Sequence, residues 1–570
     1  MSEPKIDAKD IAVDVVIVGG GLAGLSTAYA IDLLSRRQHE QGQPVPPSVV
    51  LLEADGGLGG RTLTEPKDYS DFGAGYIAGS QQSYTQLLTR ELGISTFPTF
   101  LPQDKDWVYQ FRNGTLRRFP GDDPLDLPGG IESVQLLGEL DAQTAVIRAN
   151  LFDLTRVPQA KLLDSLSAAD WMDARARSVG LSEETRDVFA VSIRSALSVE
   201  PKDVSFLFLM YYAATAGSYS DLVDVNGGPS AAEGTRLTYG TSSLVEALGQ
   251  ATNKHVVKAR VTDVEFVDGG ARVTATVDGT LRVWIAKKVV VAMSPGDSNN
   301  VKFAPALNEK FNSKGRSRQT LASKMKLGRS IKGFLRFKHP FWRDQGLSGY
   351  FLSAGGDFVR YPLNWTLDNS WDPTPDRRDP NLSRARNRFS LMTFMVGEAA
   401  DYWGSQELLA RRTAIIKQLS EVFGDKLEGE LIDDDAPYVD NVWLPNQSRV
   451  GGGPTGVLPP GVLYEHFRAL KAPLGPLHFA GSESADEWCG YMNGAIQSGF
   501  RAATEVLQAL TNDTVPAPTS PTPVRGSSGA PESRRYNTGA RRAAPPPPRG
   551  TITTNPPART SRKPRRRKPR

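Results

Sequence analysis

The sequence predicts an α/β fold in which two domains are interleaved along one chain. Three observations carry this prediction. An apolar β-type run at 13–18 leads through a glycine turn into a helical stretch, the middle of the chain is helical, and a glycine-rich strand-to-helix segment returns at 477–503. A chain of 570 residues is too long for a single core. The chain is therefore expected to leave the first domain after its N-terminal part and to return to it near the end.

Composition indicates a globular protein without a membrane span. Hydrophobic residues make up 39% and charged residues 23%, which is ordinary for a folded enzyme. The longest apolar run, Val204–Ala216, is shorter than the roughly 20 residues that cross a bilayer, and it predicts a buried helix. The first residues contain no apolar signal core. A single cysteine excludes an intrachain disulfide and a cysteine-based zinc site, and it fits a reducing, cytoplasmic location.

The end of the chain has a different composition from the rest. Residues 512–570 contain fourteen Lys and Arg residues and two acidic residues, which gives this segment a net charge of +12. Because the whole chain has a net charge of +4, residues 1–511 have a net charge of −8. Because this segment is rich in proline and arginine and poor in large apolar residues, it is predicted to be a disordered basic tail. Two interpretations stay open: a solvated extension, or an electrostatic anchor for a polyanion or another acidic partner.

The first glycine turn has the spacing of a dinucleotide-binding site. Gly19, Gly21 and Gly24 form G-x-G-x-x-G between the strand and the helix, with Ala23 inside the motif. Gly21 lets the backbone approach a pyrophosphate, the helix N-terminus supplies N–H groups, and Gly24 allows close packing of helix on strand. This context predicts a Rossmann-like domain.

The acid that binds the ribose hydroxyls is expected at the end of the second strand. In "SVVLLEAD" this position is Glu53, followed by Ala54. Its spacing from Gly24 is longer than usual because a polar, proline-rich insertion, "RRQHEQGQPVPP", precedes the strand. A second glycine cluster, "GGLGGRT", contains Arg61. The planar guanidinium group of an arginine can form two parallel hydrogen bonds with a phosphate. NAD enzymes do not need this cluster, so the predicted cofactor is FAD.

Four separated stretches resemble a single family. They are "VVIVGGGLAGLSTAY", "LLEADGGLGGRT", "SIKGFLRFKHPFW" and "LHFAGSESADEWCGYMNGAIQSGFRAA". In this order they are similar to the flavin-containing amine oxidases, above all to the monoamine oxidase branch. The resemblance implies a bipartite, Rossmann-like FAD-binding domain at 11–95, 236–300 and 440–511. This domain is interleaved with a mixed-sheet and helical (α+β) substrate domain at 96–235 and 301–439.

The resemblance also implies an activity and a set of contacts. The activity is an FAD-dependent oxidation of an amine to an imine, with O₂ reduced to H₂O₂ and the imine hydrolysed to an aldehyde or ketone. The implied contacts are Gly19, Gly21, Ala23, Gly24, Glu53, Ala54, Arg61 and Val261 for the adenosine half of FAD, and Gly73, Gly75, Glu483, Gly490 and Met492 for the riboflavin end.

Two side chains are implied in catalysis. Lys332 matches the lysine that reaches flavin N5 through a water and assists reoxidation by O₂; the alternative is a strand lysine that points outward, as Lys338 is expected to do. Tyr491 resembles one wall of the aromatic cage that faces the amine, with a packing role as the alternative. Tyr76 and Trp488 are candidates for the substrate pocket.

The stretch "VGGGPTGVLPPG" departs from the family members that bind FAD covalently. Gly453 stands where those members carry the tethering cysteine, and Pro454 stands at the second cage aromatic, so FAD is predicted to be noncovalent. Cys489, the only cysteine, is predicted to be a bystander because no activating histidine is readable around it.

Other functions stay open as alternatives. The stretch "GAGYIAGSQQ" contains Tyr76 and no arginine for a substrate carboxylate, which argues against an L-amino-acid oxidase but leaves it, with other flavin oxidoreductases of the same fold, as the alternative among enzymes. The alternative of another class is a polyanion-binding or partner-binding protein that acts through the basic tail.

Overall fold

The computed structural model describes residues 5–6, 10–40, 45–54, 57–100, 104–120, 128–224, 231–370, 389–433, 436–445 and 450–511. All of them belong to one unit of the chain, 1–522. A second unit, 523–570, lies outside the described residues, and so does the whole of the predicted basic tail.

The strands of the described residues are numbered in chain order. They are β1 Lys5–Ile6, β2 Ile11–Val18, β3 Val49–Glu53, β4 Thr96–Pro98, β5 Asp106–Gln110, β6 Leu116–Phe119, β7 Thr235–Leu237, β8 Val256–Lys258, β9 Arg260–Val267, β10 Gly270–Val277, β11 Thr280–Val291, β12 Lys302–Ala304, β13 Lys326–Leu327, β14 Ser330–Phe337, β15 Leu347–Ser353, β16 Trp365–Asp368, β17 Phe389–Val396, β18 Tyr438–Trp443, β19 Gly456–Val457 and β20 Leu477–Phe479.

The α-helices of the described residues are numbered in the same way. They are α1 Leu22–Glu40, α2 Ser83–Glu91, α3 Ile131–Arg148, α4 Ala160–Ser165, α5 Ala168–Val179, α6 Glu183–Leu197, α7 Phe206–Ala216, α8 Tyr219–Val223, α9 Ser242–Thr252, α10 Leu307–Lys324, α11 Phe341–Asp344, α12 Glu398–Trp403, α13 Leu408–Phe423, α14 Leu463–His466 and α15 Met492–Thr511.

The larger sheet joins the beginning, middle and end of the chain. Its strand order is β12-β9-β10-β11-β2-β3-β8, and β1 and β20 also pair with β11. The strands β11, β2, β3, β8 and β20 run parallel to one another, whereas β9, β10 and β11 form an antiparallel meander. The second half of β2, Val15–Val18, is buried on both faces, as parallel strands between helices usually are. The parallel strands all point their carboxyl ends to one edge, where ligands bind in such sheets.

The smaller sheet has the order β18-β14-β17-β16-β15-β5-β6. It is antiparallel except where β15 runs parallel to β5. Every residue of β14 is buried because this strand lies between β17 and β18. A polar side chain on β14 is therefore held inside the protein.

Helices from the middle of the chain form a separate apolar cluster. Its centre is α7, in which every residue is buried, and this confirms the buried helix expected at Val204–Ala216. Ser205 caps the N-terminus of this helix, because its side chain accepts a hydrogen bond from the Phe208 N–H. No helix in the described ranges combines the length and apolar character needed to cross a bilayer.

Candidate active site

The turn between β2 and α1 forms a cradle without side chains. Gly19 has a φ of +107°, and a Cβ on Gly24 would lie 1.9 Å from the Gly19 oxygen, so both positions require glycine. Gly21 forms an isolated bridge with Gly59, and a Cβ on Gly21 would come no closer than 3.8 Å to its nearest neighbour in the described chain. Open space therefore lies in front of Gly21, at the N-terminus of α1.

Glu53 ends β3 beside this cradle. Its Oε2 accepts a hydrogen bond from the Gly20 N–H at 2.6 Å. Its backbone oxygen accepts from the Ala259 N–H at 2.8 Å, which brings the neighbouring Val261 of β9 close to the same end of the sheet. The structure thus gathers Glu53, Ala54 and Val261 near the glycine turn, while Ala23 is buried on α1. Their contacts with adenosine stay predictions.

Arg61 is held by a carboxylate from the far end of the chain. Its Nη1 lies 2.5 Å from Oε1 of Glu483 and its Nη2 lies 3.1 Å from Oε2, while Nη1 also donates to the Pro454 oxygen at 3.0 Å. Burial opposes ionisation of Glu483, but the Arg61 charge outweighs it and, with the Gly456 N–H, lowers the Glu483 pKa to about 2. Sequence reasoning missed this pair, and the contact of Arg61 with a phosphate stays a prediction.

Lys332 points into the protein from the middle of β14. It is 5% exposed, and its Nζ donates to the Gly73 oxygen at 2.8 Å. Burial lowers the pKa of Lys332 to about 8, against the opposing attraction of Asp71. Lys338, just beyond the same strand, has a 43% exposed side chain paired with Asp433. The two lysines thus have the opposite orientations that the sequence predicts.

Asp71 faces Lys332 across a glycine, and sequence reasoning missed it. The carboxyl is 3% exposed. Its Oδ1 accepts hydrogen bonds from Thr64 and Thr241, whereas its Oδ2 has no partner among the described residues. A Cβ on Gly75 would lie 3.3 Å from Lys332 Nζ and 3.7 Å from Asp71 Oδ2. Glycine at 75 therefore leaves room between the amine and the carboxyl.

Tyr491 is positioned by a tight loop tied to α7. The backbone N–H groups of Trp488 and Cys489 donate to the Thr215 backbone oxygen and hydroxyl at 2.8 and 3.0 Å. Gly490 has a φ of +84° and turns the chain toward Tyr491. The Trp488 ring meets the Tyr491 ring edge-on at 5.0 Å. With 3% of its surface exposed, Trp488 lies behind Tyr491, and a direct contact with substrate stays a prediction.

Tyr76 and Phe394 lie close to Lys332. Their ring centroids are 5.9 and 5.5 Å from its Nζ. The Tyr76 hydroxyl lies 3.2 Å from Asn369 Oδ1. Burial raises the pKa of both Tyr76 and Tyr491, so their rings stay uncharged. The sequence singled out the two tyrosines, but it offered no signal for Phe394, which β17 brings beside Lys332 through strand pairing.

Cys489 has the properties of an inert thiol. It is 1% exposed, its Sγ lies 3.7 Å from the Glu483 backbone oxygen, and burial raises its pKa. Only the thiolate is a good nucleophile, so this environment agrees with the predicted bystander role. A Cβ on Gly453 would meet Trp443 at 3.8 Å, an ordinary contact distance.

These features fit a dinucleotide cofactor. Gly19, Gly21 and Gly24 leave backbone and open space where a pyrophosphate approaches, and Glu53 stands at the adjoining strand end as a ribose acceptor requires. Lys332 and the aromatic rings then mark a second, apolar part of the site. No group of three or more potential metal ligands occurs within the described ranges.

Comparison with known proteins identifies the family. The family model for flavin containing amine oxidoreductases matches residues 22–507. The chain belongs to this family. A putative flavin-containing monoamine oxidase, AofH, of Mycobacterium tuberculosis is 32% identical over 503 residues, which are 87% of this chain and 97% of the relative. A probable flavin-containing monoamine oxidase A of Dictyostelium discoideum is 28% identical and covers 88% of this chain and 98% of its own.

Solved structures of the same kind match the fold. Cyclohexylamine oxidase from Brevibacterium oxydans IH-35A has a TM-score of 0.71 at 28% identity, over 88% of this chain and 99% of its own. Wild-type putrescine oxidase bound to putrescine has a TM-score of 0.72 at 26% identity, over 88% and 100%. The predicted amine oxidase family and α/β fold are confirmed, and the chain is a flavin-containing enzyme that oxidises amines. That its FAD is bound noncovalently stays a prediction from Gly453.

Proposed function

We propose that the chain oxidises a neutral amine next to Lys332 and Tyr491, and that it does not use amino acids. Bound FAD would take a hydride equivalent from the α-carbon of the amine and return the electrons to O₂ as H₂O₂. The chain itself has to hold the amine, exclude water and supply a proton-carrying group. Burial of Lys332 against Gly73 is the observation that carries this proposal.

Lys332 can hold and exchange a proton near neutral pH. A lysine with a pKa of about 8 exists as both ammonium and amine in the physiological range. Its Nζ keeps one hydrogen bond to the Gly73 oxygen and has room beside Gly75. It can therefore order a water and lend a positive charge where electrons are passed to O₂.

The aromatic side chains orient the amine. Tyr76 and Tyr491 remain neutral because burial raises their pKa, and a neutral amine can pack on their ring faces and direct an N–H group toward them. Pro454 stands where the covalent relatives have a second cage aromatic. Tyr76 and Phe394, close to Lys332, are the candidates to replace it.

An amino acid is the less favoured substrate. Its carboxylate needs a cation in the site, and Arg236 is the nearby candidate because its Cζ lies 5.9 Å from the Tyr76 ring centroid. However, Arg236 is 3% exposed, donates to the Asn369 oxygen at 3.0 Å and lies over Phe97. These contacts use the guanidinium to join β7 to the smaller sheet.

The proposal is tested by a substrate screen on the full chain. We expect a yellow protein that forms H₂O₂ with amines, that is bleached anaerobically by them, and that is inactive with L-amino acids. Rapid turnover of L-amino acids, with none of amines, would overturn the proposal in favour of an amino-acid oxidase. A colourless protein that forms no H₂O₂ with any amine would overturn it altogether.

Polyanion binding by the tail and a cytoplasmic location are two further proposals, and both are based mainly on amino-acid composition. The tail at 512–570 would bind a polyanion through its net charge of +12, and binding to heparin that survives removal of the tail would contradict this. The cytoplasmic location is supported by the single cysteine, which is buried. Fractionation of cells that express the full chain would test it.

A further inference from the structure

A carboxylate oxygen with no hydrogen-bond partner faces the Lys332 amine. Oδ1 of Asp71 accepts hydrogen bonds from the Thr64 hydroxyl at 2.6 Å and from the Thr241 N–H at 2.8 Å, so this side of the carboxyl is held in place. Oδ2 lies on the other side, next to Gly75, and has no partner among the described residues. The hydrogen bonds of the fold therefore leave this oxygen free to act on the lysine.

Gly75 stands between this oxygen and the lysine. A Cβ on Gly75 would lie 3.7 Å from Asp71 Oδ2 and 3.3 Å from Lys332 Nζ, so both atoms border the same small space. Within the described chain the amine donates its hydrogen bond to the Gly73 oxygen, at 2.8 Å, and not to the carboxyl. The segment 71–75 thus surrounds the amine with a carboxyl, a backbone oxygen and a residue without a side chain.

Both groups are shielded from water, which strengthens the interaction of their charges. Lys332 is 5% exposed and Asp71 is 3% exposed, and opposite charges attract each other more strongly inside a protein than in bulk water. At short range an opposite charge typically shifts a pKa by about 1–3 units. Burial lowers the pKa of Lys332 to about 8, and the Asp71 charge is the strongest influence that opposes this effect.

Other charges act less strongly on the amine than Asp71 does. Arg236 lowers the pKa of the lysine and Glu233 raises it, and both effects are smaller than that of Asp71. The residues paired with the lysine on β17 and β18 are Phe394 and Asn441, which are uncharged. Asp71 is therefore the group through which the fold controls the proton of this lysine.

We propose that Asp71 is a positioning residue for the Lys332 proton: its unpaired Oδ2 is the buried counter-charge that keeps the amine in its ammonium form. This inference rests on the proposed function, in which Lys332 lends a positive charge to the reaction with O₂. It adds a carboxyl that acts through the lysine alone and that contacts neither the substrate nor O₂.

Asp71→Asn removes the charge and keeps the shape of the side chain. The asparagine oxygen can still accept the hydrogen bonds from Thr64 and Thr241, so the variant should fold and bind FAD. Without the counter-charge, the pH at which the reoxidation rate falls should drop by about one unit or more below the wild-type value of about 8. Rapid mixing of the reduced holoenzyme with O₂ at a series of pH values measures this step.

Unfolding provides a second readout, which does not depend on activity. In the holoenzyme at neutral pH, Asp71→Asn should raise the equilibrium constant for unfolding by about tenfold or more, because it leaves the ammonium without a counter-charge. In a Lys332→Met background the same substitution should have a clearly smaller effect, since no ammonium remains. Denaturant titration of the wild type, the two single variants and the double variant measures this coupling.

Asp164→Asn is the matched control. Asp164 is a carboxyl 2% exposed that accepts hydrogen bonds from the Ser205 hydroxyl and the Tyr464 N–H, so it joins α4 to α7 and α14. This variant should leave the pH step in place and should show no coupling with Lys332→Met. An unshifted pH step in Asp71→Asn, or an equal effect of Asp71→Asn in both backgrounds, would overturn this inference alone. A chain that oxidises no amine but shows the coupling in unfolding would overturn the proposed function and support the counter-charge.

Discussion

Arg61 and Glu483 form a bidentate ion pair between segments that are 422 residues apart in the chain. The pair joins the second glycine cluster to the loop that follows β20. The Glu483 side chain is 1% exposed and that of Arg61 is 23% exposed. Arg61 Nη2 also donates to the hydroxyl oxygen of Ser482, next to Glu483, at 3.2 Å, which strengthens the same connection.

Glu483→Gln should destabilise the protein. It leaves the partly buried Arg61 charge without its carboxylate partner, and breaking a fully buried pair in this way typically costs about 3–5 kcal/mol. We expect a lower free energy of unfolding and a lower ratio of flavin to protein, measured by denaturant titration and by the flavin absorbance. Glu398→Gln is the matched control: its pair with Lys202 is exposed, so the expected change is below about 1 kcal/mol. Equal effects of the two substitutions would contradict the structural role.

Acid should reduce the difference between wild type and Glu483→Gln. The Glu483 pKa is lowered from 4.5 to about 2 in the folded state, so its stabilisation is complete above about pH 4.5 and is lost as the pH falls toward 2. We expect the difference in unfolding free energy to be largest near neutral pH and smaller at pH 3. A difference that stays constant over this range would contradict the assigned pKa.

Lys332→Met should slow flavin reoxidation while FAD remains bound. The substitution keeps an apolar chain of similar length but removes the charge that assists the reaction with O₂, for which we expect a loss of about 100-fold. In the wild type the rate should fall as the pH rises through about 8, where Lys332 loses its proton, and the variant should lack this step. Stopped-flow mixing of reduced enzyme with O₂ measures both. Lys338→Met, which replaces an exposed lysine, should behave like the wild type.

Gly453→Cys should give the chain a covalent flavin. By the family resemblance position 453 carries the tether in covalent members, and a side chain has space there because its Cβ would lie 3.8 Å from Trp443. We expect acid precipitation to release all the flavin from the wild type and to leave part of it on the variant. Complete release from the variant would show that position 453 does not face the flavin.

Tyr491→Ala should impair catalysis more than Tyr491→Phe. The phenylalanine keeps the ring that packs against Trp488 and Tyr212, whereas alanine removes the wall of the amine site. Steady-state kinetics should show kcat/KM close to the wild-type value for Phe and lower by about tenfold or more for Ala, as expected for loss of an aromatic contact with an amine. Tyr402→Ala, at the surface on α12, is the control. Equal activity of Tyr491→Ala and wild type would contradict the cage role.

The motifs predictable from the sequence are those in which neighbouring residues act together. The spacing of Gly19, Gly21 and Gly24 is a local requirement of one turn, and the structure shows the close approach that it imposes. Lys332 was found because its strand segment resembles the family. By contrast, Asp71 and Phe394 lie far from Lys332 in the chain and carry no local signal. Only the pairing of β14 with β17, and the packing of the segment around Gly73 on Lys332, bring them together.

The sequence by itself determined the family, the FAD cofactor, the α/β fold and the glycine turn, because short-range spacing and hydrophobic pattern specify these features. The tertiary structure decided which charges meet. It gave Arg61 a protein carboxylate, and it buried Lys332 so that its pKa falls to about 8. Those outcomes depend on desolvation and on the distances between segments that are remote in the chain, and neither can be predicted from neighbouring residues in the sequence.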